Sequence, residues 1–207
     1  MSANIQPTAI ADVSAVSLPT APVWRLSVEQ YHRMIRFGIL TDDDPVELLE
    51  GWLITKMPKN PPHRLSTQLT REAIVRLLPP GWYVDAQEPI TTDDSEPEPD
   101  VVVVRGERRD YRDHHPRERD VTLVVEVADA TLQRDRTLKK RLYGRAGIPT
   151  YWIINLVDNQ LEVHTEPTGA GEQADYRQRQ DYGVADTAPL MLDGVESGRI
   201  AARDLLP

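Results

Sequence analysis

Two rhythms of apolar residues run along the chain. In "LSVEQYHRMIRFGIL", Val28, Tyr31, Met34 and Ile35 recur at helical spacing, and Ser27 followed by Gln30 fits a capping box. "VELLEGWLITKM" predicts a hairpin with Glu50-Gly51 near its turn. After the proline-rich break "PKNPPH", the segment "RLSTQLTREAIVRLLPPG" predicts a second helix. Its apolar stripe is Leu65, Leu69, Ile74 and Leu77, and Pro79-Pro80-Gly81 stops it. "WYVDAQEPITT" reads as a strand, and beyond the polar "DDSEPEP" comes the strand "DVVVV".

The second half continues the pattern. "RGERRDYRDHHPRERD" is charged throughout and reads as an exposed, disordered loop. "VTLVVEVA" is apolar on both faces, as in a covered sheet. "DRTLKKRLYGRAG" predicts a helix with Asp135 as its cap and Gly147 as its stop. "TYWIINLVDNQLEVHTE" gives two strands about a turn at Asp158-Asn159; past a glycine-rich loop near residues 168–171, the tail holds two short strands and a last helical turn. This order predicts an α+β fold with an α/β core, a mixed sheet flanked by helices. Residues 1–23, rich in Ala, Ser, Thr and Pro, read as a disordered leader ahead of a single domain over residues 24–207.

Composition narrows the classes. A chain of 207 residues is long enough to bury one sizeable core. The absence of cysteine excludes a disulfide framework, a thiolate zinc site and a cysteine nucleophile, and it fits a reducing cytoplasm. No apolar run approaches the roughly 20 residues needed to cross a bilayer, so no membrane partner is expected. The net charge of −9 argues against a delocalised affinity for nucleic acid, but leaves room for a local basic surface or for an acidic site that recruits a divalent cation.

The chemistry lies in acids that interrupt apolar strands. Asp100 opens one valine-rich strand, Glu126 interrupts another, and Glu47 stands between Val46 and Leu48. Taking a carboxylate out of water costs several kcal/mol unless a cation meets it. If the two valine-rich strands pair antiparallel with Val104 opposite Thr122, Asp100 falls opposite Glu126. Directly opposed side chains lie about 4.5–5.5 Å apart at Cβ. Two carboxylates that close repel, and one takes up a proton unless a cation sits between them. Oxygen ligands of this kind suit magnesium or manganese. If Glu47 turns the same way, three carboxylates converge; Glu50 and Glu98 are weaker candidates. The plainer alternative is that Asp100 caps a strand and Glu126 pairs with an arginine.

Asp135, Lys139 and Tyr143 are spaced i, i+4, i+8 and share one helical stripe, which sets Lys139 at the border of the face packed on the sheet. There a lysine can orient a water nucleophile and stabilise charge on a phosphoryl oxygen; equally, it can snorkel to the surface. His63 admits a general-base reading and, equally, a local bond at a helix start. His114 and His115 read as solvated. The arginines between Arg108 and Arg119 can touch phosphates, although a merely solvated loop is the simpler account. Tyr151 and Trp152 read as core.

Together "VELLEGWLITKMP…H", "EPEPDVVVV", "LVVEV", "DRTLKKRLY" and "AGIPTYWIINL" resemble the Uma-type (Uma two) family of restriction endonucleases, in the PD-(D/E)XK nuclease superfamily. The resemblance runs from about Leu26 to about His164, and more loosely through the "LDGVESGRIAARDLLP" end. It implies a restriction-endonuclease-like fold and magnesium- or manganese-dependent hydrolysis of phosphodiester bonds, with DNA as substrate. Asp100 matches the Asp of the PD element, Glu126 the acid of the (D/E)XK element, and Glu47 the upstream glutamate. The strand lysine of that superfamily would stand at Ala128; the resemblance moves it to Lys139 on the following helix. The expected catalytic set is thus Glu47, Asp100, Glu126 and Lys139, with the three acids as metal ligands. A homodimer suits the cutting of two strands. The rival class is a nuclease-like module that binds nucleic acid or protein without cutting.

Overall fold

The computed structural model describes residues 22–171 and 173–207, so the leader expected over residues 1–23 lies almost wholly outside the described residues. Helix α1 (Val28–Arg36) opens on the expected capping box: Ser27 Oγ accepts from the Gln30 N–H at 3.2 Å, and Gln30 Oε1 from the Ser27 N–H at 2.9 Å. Of its stripe only Tyr31 is buried, and Ile35 lies at the surface. Strands β1 (Val46–Leu49) and β2 (Trp52–Thr55) form the expected hairpin. Glu50 and Gly51 both take positive φ, 50° and 79°, which gives a two-residue turn the right-handed twist its strands need. A Cβ on Gly51 would also meet the Arg25 side chain at 2.6 Å.

Helix α2 (Pro61–Val75) corrects the sequence reading at its start. The "PKNPPH" stretch is a break only as far as Asn60: Asn60 is the N-cap, accepting from the His63 N–H at 3.0 Å, and Pro61 and Pro62 occupy the first helical positions, where no N–H is needed. The buried face is also shifted. It consists of Ser66, Thr67, Thr70, Ala73 and Ile74, while Leu65 is exposed. Small polar residues let the helix lie close to its neighbours, and the Ser66 hydroxyl donates to the Leu205 carbonyl at 2.7 Å.

Strand β3 (Trp82–Asp85) is shorter than the eleven-residue strand expected, because the chain turns at Gln87, whose φ is +61°. Strand β4 (Val101–Arg105) leads to the charged segment, which is folded rather than disordered. It contains two 3-10 turns, and it is tied down by Arg108 to Asp85 at 2.9 Å and by the Thr91 N–H to the Pro116 carbonyl at 2.8 Å. Strand β5 (Val121–Ala128) is buried along its whole length. A helical run follows, with α3 (Leu132–Arg134), a π-turn (Asp135–Lys139) and α4 (Lys140–Arg145) end to end. It crosses over to β6 (Thr150–Asn155), which pairs parallel with β5. Strand β7 (Gln160–Pro167) returns through a turn with Asn159 at φ +52°. The tail holds three strands, not two: β8 (Tyr176–Gly183), β9 (Thr187–Leu192) and β10 (Val195–Ala201), then a 3-10 turn.

The main sheet has the order β3-β4-β5-β6-β7-β8 and is antiparallel except at β5–β6. Alternation along β5 divides two cores. Leu123, Val125 and Val127 face α2 and the β9–β10 hairpin, where Ile74, Leu190 and Ile200 close over them. Val124 and Ala128 face α4 and β1, with Leu142, Tyr143 and Leu49. No described helix is long and apolar enough to cross a membrane.

Candidate active site

Sheet register brings the first two acids together. Val101 pairs with Val125, Val102 with Val124 and Val103 with Leu123, so the same register carried one step further sets Asp100 level with Glu126. The expected pairing of Val104 with Thr122 does not form. Val104 pairs with Val121 across a bulge, and Thr122 Oγ1 instead accepts from the Asp193 N–H at 3.1 Å. The irregularity lies at the far end of the ladder and leaves the acids in line. Both belong to the face that carries Val102, Val124 and the α4 side of the core. Their row continues across the sheet, Glu126 beside Ile153 and Ile153 beside Glu162.

The helical run lies over this row. Asp135 is not its cap: the run starts earlier, after Thr131, whose hydroxyl donates to Asp135 Oδ2 at 2.6 Å. Burial pushes the Asp135 carboxyl up to about 6, against the Thr131 bond and the Lys139 charge. The π-turn ends at Lys139, whose side chain does not snorkel. Lys139 is 2 % exposed, and its Nζ donates to Glu47 Oε2 at 2.9 Å and to Glu126 Oε1 at 3.0 Å. The Tyr143 hydroxyl, from the next turn, donates to the same Glu126 oxygen at 2.6 Å. π-turns of this kind are over-represented at functional sites, because the wider turn re-aims the side chains on its rim.

Asp100 has partners of its own. Its Oδ2 accepts from the Val127 N–H at 2.9 Å and lies 3.1 Å from His63 Nε2. Burial works to lower the His63 imidazole, but Asp100 beside it outweighs burial and raises it. His63 Nδ1 is buried without a partner. The imidazole therefore does more than bond at its own helix start. Glu47 Oε2 also accepts from the Glu98 N–H at 3.2 Å, while the Glu98 side chain pairs with Lys56 at 2.8 Å. Glu50 is bound by Arg141 at 2.7 Å and holds α4 to the hairpin turn. His114 and His115 line other hollows, and Tyr151 and Trp152 are fully buried in the two cores.

Glu47, Asp100, Glu126, Asp135 and Lys139 thus line one cleft of about 100 Å³, with His63, Lys56, Lys59 and Arg134 around them. Two opposing effects act on its central pair. Burial, and the charges of Asp100, Asp135 and Glu47, push the Glu126 carboxyl up to about 8, while Lys139 pulls it down. Burial works to lower the Lys139 ammonium, but Glu126 and Glu47 hold it above the ordinary lysine range. One Glu126 oxygen accepts from both Lys139 and Tyr143, as an anion does, so we read the pair as ionised at neutral pH.

The donors match a hard divalent cation in kind, being carboxylates on a wall of the cleft. Among the described residues no three His, Asp or Glu side chains converge into a ready metal cage. The Lys139 ammonium bridges Glu47 and Glu126, and Asp100 is held by the Val127 amide and His63. Sequence reasoning did not assign His63 to Asp100, nor place Lys59, Asn60, Asp129 and Arg134 on the cleft. The "NPPH" helix start was the available signal for the first, since a helix capped at Asn60 turns His63 inward.

Comparison with known proteins gives three findings. Residues 28–195 match the Uma2 family model, described as "Putative restriction endonuclease". The fold is similar to a crystal structure of "a putative nuclease belonging to DUF820 from Anabaena variabilis ATCC 29413", with a TM-score of 0.59 and 15% identity, covering 82% of this chain and 94% of that one. No curated protein matches the chain.

Proposed function

The chain belongs to the Uma2 family, and from that premise we propose that the acid–lysine cleft is the centre of a divalent-metal-dependent endonuclease acting on DNA. The observation that carries this reading is the matched row: Asp100 and Glu126 level on neighbouring strands, with Lys139 over Glu126 from the crossover helix. Buried acids at matched register have no use in a sheet core unless a cation joins them.

Asp100 and Glu126, with Glu47, would hold magnesium or manganese. Such an ion supplies Lewis acidity towards a phosphate oxygen and a water acid enough to attack at neutral pH. The chain's own groups do the rest. The Val127 amide and His63 fix the orientation of Asp100. Tyr143 fixes Glu126, and Lys139 offers a preorganised ammonium to charge that builds on the phosphoryl group.

A titration with magnesium, manganese or calcium tests the reading. Ligand at a hundred times its Kd stabilises a one-site protein by about 2.7 kcal/mol. We expect a saturable rise in unfolding temperature for the wild type and none for Asp100→Asn. Equal stabilisation of both proteins would show that the ion binds elsewhere. Plasmid, single-stranded DNA, RNA and a small phosphodiester, assayed side by side, would identify the substrate class.

A further inference from the structure

The cleft is lined by four cationic side chains, and they divide into two kinds. Lys139 is bonded to Glu47 and Glu126, and Lys56 is bonded to both oxygens of Glu98. Both are held by acids of the cleft, Lys139 at the proposed reacting centre itself. Lys59 is exposed at the entrance to α2 and pairs with no acid among the described residues. Arg134, at the end of α3, makes one long bond, from NH1 to the Thr55 carbonyl at 3.3 Å, and its Nε–H is buried with no acceptor. A buried donor left unmet costs about 1–3 kcal/mol, so a guanidinium in this state calls for an acceptor from outside.

We infer that Arg134 and Lys59 form a phosphate-receiving pair at the mouth of the cleft, which takes a backbone phosphate of a nucleic acid while the acids hold the reacting centre. This rests on the nuclease reading and adds the contact that such a reading lacks, since the acids in the cleft would repel a polyanion. Three features support the assignment. Arginine presents a planar fork that matches two phosphate oxygens, and Arg134 has most of its five donors free to do so. Lys59 lines the same cleft from another element, one residue ahead of the Asn60 cap of α2. The cleft, about 100 Å³, has room for a phosphate group beside the acids. Recognition here would read the backbone rather than the sequence.

The test is binding without cleavage. The full-length protein in EDTA is titrated against labelled duplex DNA, single-stranded DNA and RNA over a range of salt concentrations, by fluorescence anisotropy. Arg134→Gln and Lys59→Gln are each expected to weaken binding about tenfold. Each should also lower the slope of log K against log salt by about one released ion. The slope distinguishes a phosphate contact from a folding defect, and unfolding temperatures of the two variants check the latter. The probe with the tightest binding identifies the source of the phosphate. An unchanged affinity and slope in the double variant would overturn the assignment, as would a wild type that binds none of the three probes. Failure here is separable from failure of the metal centre. If cleavage is lost in Asp100→Asn while Arg134→Gln and Lys59→Gln bind as the wild type does, only the clamp is wrong. If those variants bind weakly while Asp100→Asn still cuts, only the metal centre is wrong.

Discussion

Asp100→Asn is expected to keep the fold and to lower magnesium-dependent cleavage of DNA on the order of a thousandfold or more. The two halves of this expectation have separate causes. The fold survives because asparagine keeps the shape of the side chain, and its amide oxygen can still accept from the Val127 N–H. Nor does the core lose a needed charge. Asp100 adds to the burden on Glu126, raising its carboxyl, so a neutral group at position 100 relieves the pair. Cleavage is lost because a hard cation requires the anionic oxygen, which an amide does not supply. The same substitution has a signature that needs no activity. Asp100 raises the His63 imidazole against burial, so in the variant burial and the Lys59 charge are opposed only by Glu126 and the His63 titration moves to lower pH. NMR of the imidazole reads this directly. A variant that cuts at the wild-type rate removes Asp100 from the chemistry, and an unmoved His63 titration removes the Asp100–His63 contact.

Much of the site was legible because β-structure has a strict period. The valine runs marked β4 and β5 as covered strands, and an antiparallel register between them set Asp100 level with Glu126, as the pairs from Val101–Val125 to Val103–Leu123 require. The expected register failed only at Val104, where the bulge beside Thr122 has no sequence signal: Thr122 turns to the Asp193 amide, a partner 71 residues away. Helix starts were less legible. Asp135 looked like a cap because Asp is a good one, and nothing local showed that Thr131 would start the run a turn earlier and convert Asp135 into a buried acceptor. The π-turn was invisible for the same reason, since it is set by what lies beneath the helix. The stripe of α2 holds at Ile74 and Leu77 but fails at Leu65, because a close approach to the sheet selects Ser66, Thr70 and Ala73 over leucine. Resemblance supplied the role of Lys139. Geometry then gave it two carboxylate partners where the sequence offered one helix face.

Glu162→Gln is expected to carry the largest stability effect. It lies in the same row as Glu126, two strands away across Ile153, and neighbouring strands are about 4.8 Å apart. The helical run bridges the row, with Arg136 bonded to Glu162 and Lys139, one turn on, bonded to Glu126. Ile153 sits between them as the apolar floor. Glu162 is fully buried and also accepts from Asn155 at 2.9 Å, with Arg179 at 3.3 Å. Burial alone would raise its carboxyl, but the His164 imidazole beside it, with Arg136, Asn155 and Arg179, holds it well below the ordinary glutamate range. Its contribution is therefore present above the unfolded value of 4.5 and is lost as pH falls from there towards the folded one. Glu162→Gln removes the anion that Arg136 and Arg179 share; both arginines are part-exposed and keep Asp158 and Asp181, so the loss of these charged hydrogen bonds costs about 1–3 kcal/mol. A fall of roughly 5 °C in unfolding temperature at pH 7 is expected. The acid limb of the stability curve should be shallower than in the wild type. Arg136 is also the tether that sets the π-turn over the sheet, so the same variant should loosen Lys139 from Glu126 and slow cleavage. Arg179→Gln reaches Glu162 from β8 instead of from the helix, and should lower stability while sparing the rate. Equal loss of rate in both variants would mean that Glu162 acts on the sheet alone; an unchanged unfolding temperature in Glu162→Gln would mean that the row does not hold the helix at all.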